Sequence, residues 1–186
     1  MSPIVGAEAD DGWLPGAQRI PSPNFDERPA GMAICLVVVH AISLPPGEFD
    51  GQGIVDLFTN QLDPQAHPYY REIADRRVSA HFLIRRDGGL IQFVSIAHRA
   101  WHAGISTWDG RERCNDFSIG IELEGCDELP FDAAQYSTLN ALLADLSWRY
   151  PLQAVVGHSD IAPGRKTDPG PGFDWHRLAA LPLRTR

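Results

Sequence analysis

An imidazole, an ammonium and two carboxylates crowd into the segment Gly157–Gly172, as His158, Lys166, Asp160 and Asp168, among three prolines and four glycines. Proline fixes φ and glycine permits backbone angles that other residues avoid, so such a segment takes one tight shape rather than a helix or a strand. Gly/Pro runs are ordinarily plain surface loops. Here the preceding residues Ala154-Val155-Val156-Gly157 read as a short buried strand. His158 therefore stands at a strand end where a loop leaves the scaffold, a common seat of binding and catalytic groups. Lys166 is the only lysine among sixteen Lys and Arg residues. An arginine-biased composition produces that by chance too, but a compact ammonium does work that a planar guanidinium cannot.

A second apolar run, Ala33-Ile34-Cys35-Leu36-Val37-Val38-Val39, also ends in an imidazole, His40. Its continuous apolar character predicts a central strand covered on both faces. Two strand-end histidines and Asp168 would make a nitrogen–nitrogen–oxygen set. Hydrolytic zinc is held by three such protein ligands with one position left open, and its water has a pKa near 7. That water still needs a proton acceptor, for which Glu122 is the candidate. The segment Phe117–Glu124 alternates with period two, with Phe117, Ile119, Ile121 and Leu123 on a core face. Ser118, Gly120, Glu122 and Glu124 share the other face, where small neighbours leave room above Glu122. Lys166, two residues from Asp168, is placed to meet a tetrahedral oxyanion.

The remaining elements must position these groups. Residues 1–32 read as an irregular, proline-bearing arm tacked down by Trp13, Ile20 and Phe25, and residues 33–186 as one domain. A short helix is predicted over Ile54–Leu62. Val78–Val94 reads as a hairpin about Asp87-Gly88-Gly89, with His81 structural. Arg99–Gly104 is a loop whose small residues would let a ligand approach Trp101 and His102. Asp132–Tyr150 is the clearest helix, with an Asp132/Gln135 capping box and an inward stripe of Tyr136, Leu139, Leu143, Leu146 and Tyr150. A last short helix is predicted from Asp174, with Trp175, Leu178 and Leu181 inward.

Composition narrows the classes. A net charge of −8 excludes general nucleic-acid binding. Three widely spaced cysteines, Cys35, Cys114 and Cys126, fit neither a disulfide framework nor a zinc knuckle and favour a reducing compartment. No signal peptide and no run of transmembrane length is seen. The expectation is a soluble, cytoplasmic monomer with no membrane partner.

Several blocks carry a resemblance: Leu36–His40 with Ile42–Phe49, Arg77–His81, Ala100–Gly104, Arg113–Gly125 and the Gly157–Pro171 loop. Together they resemble the zinc-dependent N-acetylmuramoyl-L-alanine amidases, and within them the cytoplasmic branch that acts on 1,6-anhydro-muropeptides in cell-wall recycling. The match runs from about Gly12 to Leu181. It implies an α/β single domain, a central mixed β-sheet flanked by helices, related to the peptidoglycan recognition proteins. It implies Zn2+ held by His40, His158 and Asp168, water activation by Glu122 and transition-state stabilisation by Lys166. The implied substrate is an anhydro-muropeptide, met by Trp101 and His102 at the sugar and by Arg77 and Arg113 at peptide carboxylates. Ala41 departs from the asparagine usual in that branch, which bears on substrate contact rather than on the metal. The Asp50–Gly53 segment also departs from the usual Gly/Pro/Trp-containing one, at the rim of the cleft. Alternative readings are a zinc-free muropeptide-binding module, opposed by the full ligand set, and an amidase of intact wall, opposed by the missing leader and basic tail.

Overall fold

The computed structural model describes residues 11–179 and the backbone of 184–185. In chain order its strands are β1 (Gln18–Arg19), β2 (Phe25–Glu27), β3 (Leu36–Ile42), β4 (Phe82–Ile84), β5 (Leu90–Gln92), β6 (His98–Ala100), β7 (Thr107–Trp108), β8 (Arg111–Glu112), β9 (Ser118–Glu124), β10 (Ala154–Gly157) and β11 (Arg184–Thr185). The helices are α1 (Gly53–Phe58), α2 (Pro68–Ile73), α3 (Ala133–Arg149) and the single turn α4 (His158–Ile161). One sheet runs β1-β5-β4-β9-β3-β10-β11; β4 and β5 are antiparallel and every other neighbouring pair is parallel. It is the mixed sheet the resemblance implied.

Continuous apolar runs become two-sided strands because both faces are covered. Val37 and Val39 of β3 and Ile119, Ile121 and Leu123 of β9 pack with Tyr136, Leu139, Leu143 and Leu146 of α3. Leu36, Val38 and Val156 face the opposite way, against Phe117, Ala103 and Ile161. Helix α3 starts as its sequence predicts, with the Asp132 N–H donating to Gln135 Oε1 at 3.0 Å. Gln135 is itself buried, and its amide donates to the carbonyls of Ile84 and Glu124, tying the helix start to β4 and β9.

Three expectations change. The helix predicted over Ile54–Leu62 stops at Phe58, and Asn60 takes a left-handed φ of 60° just beyond it. The segment after Asp174 makes one 3-10 turn, Trp175–Arg177, with Asp174 accepting from the His176 N–H; Leu181 lies outside the described residues. The arm is more than a tether. Its β1 adds an edge strand beside β5, and β2 pairs with β6. Ile20 packs against the core as expected, whereas Phe25 stays 39% exposed, and polar residues add anchors that the sequence did not suggest. Arg28 enters the protein and donates to the carbonyls of Ile96, Asn115, Asp116 and Ser118. Burial lowers its pKa to about 10, so it is still charged at neutral pH. Arg99 then grips Asp26 with two hydrogen bonds of 2.6 and 2.5 Å and also pairs with Asp116.

Candidate active site

Sheet register places the chemistry. In the parallel pair β3–β9, His40 stands opposite Glu122. On the other side of β3, Gly157 of β10 stands opposite Val39, so His158 follows directly beside His40. β10 stops there, while β3 and β9 run two residues past His40 and Glu122, to Ile42 and Glu124, so His40 lies just inside its strand rather than at its end. All three stand near carboxyl ends, where sites in open α/β sheets lie. The Gly/Pro loop then folds back on α4. Gly157 N–H donates to Asp160 Oδ2 at 2.7 Å, Lys166 N–H to Ala162 O and Ser159 N–H to Asp168 O, both at 3.0 Å. Gly170, at φ 76°, lies against Asp127 so closely that a Cβ would come within 2.4 Å of it. That contact needs glycine on both counts, and it presses the returning loop onto the 125–131 segment.

The result is a triangle of donor atoms. His40 Nδ1 lies 3.0 Å from His158 Nδ1 and 3.1 Å from Asp168 Oδ2, and His158 Nδ1 lies 3.1 Å from Asp168 Oδ2. These edges are close to the roughly 3.3 Å edge of a tetrahedron whose ligands sit about 2.0 Å from a central zinc. The donor chemistry fits as well. His158 Nε2 lies 3.1 Å from the Ala103 carbonyl, which can only accept, so the proton is on Nε2 and the Nδ1 lone pair faces inward. With His40 in the same tautomer, two inward imidazole lone pairs and a carboxylate oxygen in so small a space would suit a shared cation. Among the described residues, no other His/Cys/Asp/Glu group is arranged to hold a metal ion.

Electrostatics supports these roles. Burial pushes His40 down to about 4 against the pull of Asp168, so it is neutral at pH 7, as a metal ligand must be. Burial works to raise Asp168, but its hydrogen bonds to His158 and His40 outweigh that and hold it well below the usual carboxylate range. Glu122 goes the other way: burial, then the Asp168 charge, raise it well above an ordinary glutamate, with Lys166 opposing. Among the described residues, Glu122 Oε2 is buried with no hydrogen-bond partner. A buried carboxylate oxygen left bare is costly unless a ligand supplies the missing partner.

These groups line a cleft of about 420 Å³. His40, Glu122, His158, Lys166 and Asp168 all face it, with Trp101, Ala41, Tyr69 and the exposed Arg76 on its walls. The sequence-proposed sugar and peptide contacts divide. Trp101 lines the cleft, with its side chain near enough to Asp26 to help lower that carboxyl's pKa. His102 lines it too, but both ring nitrogens meet protein, at His40 Nε2 (2.9 Å) and Ser118 Oγ (3.2 Å). Arg77 and Arg113 are not on the cleft wall: Arg77 turns to the carbonyls of Ala74 and Arg76, and Arg113 pairs with Asp116. The arginine of the wall is Arg76, one residue away, which spacing could not single out. The open face expected above β9 is filled in part. All seven β9 residues are buried, the His102 ring occupies the space over Gly120, and Glu124 pairs with Arg85 instead of meeting solvent.

Comparison with known proteins follows the same line. Residues 30–171 match the family model described as N-acetylmuramoyl-L-alanine amidase. The chain is 59% identical over 174 residues to the 1,6-anhydro-N-acetylmuramyl-L-alanine amidase AmpD of Escherichia coli, covering 92% of this chain and 95% of the relative. A crystal structure of a selenomethionine AmpD derivative superposes with a TM-score of 0.87 at 56% identity, covering 92% of this chain and 97% of that one. The Escherichia coli amidase AmiD, solved with anhydro-N-acetylmuramic acid-L-Ala-D-gamma-Glu-L-Lys, gives 0.58 at 33% identity, covering 83% of this chain and 64% of that one.

Proposed function

The chain belongs to the N-acetylmuramoyl-L-alanine amidase family, and from that premise we propose that it hydrolyses the amide between the lactyl group of 1,6-anhydro-N-acetylmuramic acid and the L-alanine of the stem peptide, in cell-wall recycling. The observation that carries the mechanism is the bare Glu122 Oε2 beside the donor triangle, in a cleft that also receives Lys166. His40, His158 and Asp168 would hold Zn2+. When bound, zinc supplies a polarised carbonyl and a water acidified to a pKa near 7.

The chain's own residues do the rest. Glu122 accepts the proton of the attacking water as its oxygen adds to the lactyl carbonyl carbon. Its raised pKa suits a group that must hold this proton and then give it to the L-alanine nitrogen as the C–N bond breaks. Lys166 faces the negative charge that gathers on the carbonyl oxygen. Lys166→Arg is expected to lower kcat by roughly 10-fold or more while leaving metal content unchanged, since the guanidinium keeps the charge but moves its centre. Steady-state kinetics alongside metal analysis checks this; a wild-type kcat would remove the ammonium from the mechanism.

Trp101 offers an apolar wall for the sugar, and Arg76 is the cation placed for a stem-peptide carboxylate. Residues 33–186 form the catalytic domain, with the described part of the 1–32 arm, from residue 11 on, packed on it. The protein works as a cytoplasmic monomer. Three free thiols, two of them buried, suit a reducing compartment, and no helix among the described residues is long and apolar enough to cross a membrane.

The test is mass spectrometry of products from an equal mixture of anhydro- and reducing-end muropeptides, with and without a zinc chelator. Chelator-sensitive release of stem peptide mainly from the anhydro form is expected. Equal release from both would make the chain a general wall amidase. Binding without cleavage at full zinc loading would make it a recognition module.

A further inference from the structure

Both histidines of the donor triangle are backed by the same short segment. His40 Nε2 lies 2.9 Å from His102 Nδ1, and His158 Nε2 lies 3.1 Å from Ala103 O. We propose that His102–Ala103 is the outer shell of the metal centre, fixing the tautomer and tilt of both ligand rings, and that Asn115 is the positioning residue that holds this segment in place. The proposal deepens the reading of the triangle as a zinc site and rests on it.

The direction of each hydrogen bond follows from what the triangle needs. Ala103 O accepts, so His158 must carry its proton on Nε2 and present Nδ1 as a lone pair. For His40 to do the same, its Nε2–H must donate to His102 Nδ1. That leaves the His102 proton on Nε2, 3.2 Å from Ser118 Oγ, a fully buried hydroxyl able to accept it. Because a hydroxyl can donate or accept, the relay His40–His102–Ser118 is satisfied in either direction, and a metal on His40 Nδ1 selects the one in which His40 Nε2–H donates to His102 Nδ1. With both ring nitrogens used in this way, His102 has none to offer a sugar hydroxyl.

The segment is seated by contacts of its own. A Cβ on Gly120 would lie 2.4 Å from the His102 ring, so only glycine there admits it. Asn115 Oδ1 accepts from two successive amides, His102 N–H at 3.2 Å and Ala103 N–H at 2.8 Å. From the other side Arg165, the neighbour of Lys166, donates to Ala103 O at 2.7 Å and Ile105 O at 2.6 Å. Asn115 neither belongs to the triangle nor lines the cleft. An effect of its side chain on the metal must pass through the 102–103 backbone. Outer-shell partners of metal-bound imidazoles typically set affinity by about 10–100-fold.

The experiment measures zinc affinity by chelator competition, and the visible absorption of the Co2+-substituted protein, for wild type, Asn115→Ala, Asn115→Asp, His102→Phe and His102→Gln. The metal-free forms are compared by circular dichroism and thermal melting as a fold control. Asn115→Ala and His102→Phe are expected to bind zinc about 10–100-fold more weakly and to shift the cobalt spectrum. Asn115→Asp keeps an acceptor for the two amides, and His102→Gln keeps an acceptor for His40 and a donor for Ser118, so both should recover most of the loss. Should His102→Phe not fold, the Asn115 pair decides alone. Folded variants with wild-type zinc affinity and an unchanged cobalt spectrum would overturn the proposal, as would His102→Phe with normal affinity and only a raised KM. A wild-type chain that binds no zinc would instead overturn the metal reading itself, and this inference with it.

Discussion

His158→Ala is expected to lose zinc and amide hydrolysis together. The imidazole is one of three donors whose atoms stand 3.0–3.1 Å apart, and the remaining pair, His40 Nδ1 and Asp168 Oδ2, would be left as a two-ligand fragment closed by a hydrogen bond instead of a metal site. Loss of a direct ligand should exceed the roughly 10–100-fold cost of an outer-shell change, so zinc content after dialysis falls from one per chain to background. Turnover falls with it, because the acidified water and the polarised carbonyl go at once. Elemental analysis and product mass spectrometry on the same sample check both. Circular dichroism must remain that of the wild type, since β10 is paired along its length without this side chain. One zinc per chain with normal hydrolysis would remove His158 from the ligand set.

Glu122→Gln separates chemistry from metal binding. The amide keeps the shape of the carboxyl but cannot take a proton, so kcat should fall by roughly 10²–10⁴-fold with zinc still at one per chain and KM little changed. The same change should leave the melting temperature equal or higher. Glu122 is 9% exposed and its Oε2 is bare, so the native state carries an uncompensated buried carboxyl that glutamine relieves. A more stable and nearly inactive variant is the pattern of a site strained for function. A kcat within tenfold of wild type would place the base elsewhere.

How far the sequence could reach depends on what kind of fact was being read. His40 and His158 were legible because each ends an apolar run, and continuous apolar runs become central strands whose ends lie side by side. Helix α3 was legible from its stripe and its capping pair. The role of His102 was not, because a residue's neighbours in the chain do not say which ring nitrogen meets which partner; only the register of β9 and the vacancy at Gly120 bring its ring under His40. Arg76 and Arg77 are indistinguishable in a polar connector, and which of them faces the cleft is decided by how α2 ends. The arm lacked periodicity because its strands are two and three residues long. Its strongest attachment, Arg28 bonded to backbone carbonyls as far as 90 residues away, leaves no local pattern at all. Ala41 keeps its place on the cleft wall, so the departure from asparagine removes a side-chain amide and leaves the fold intact.

The spread of the three donors also shapes when the chain can hold a metal. His40 and His158 are 118 residues apart, and His40 and Asp168 are 128 apart, whereas His158 and Asp168 are only 10 apart. Closing the longer span costs about 2 kcal/mol more entropy than closing the short one. Parallel pairing of β3 with β9 and β10 has to come first, a non-local topology that folds slowly. A growing polypeptide therefore has no chelating unit until Asp168 is available and the sheet has closed, unlike a zinc finger, whose ligands sit in one short loop. On the proposed zinc reading, metal capture would follow closure of the sheet. Because the unfolded chain offers only scattered imidazoles, nearly all of the binding free energy reinforces the native state.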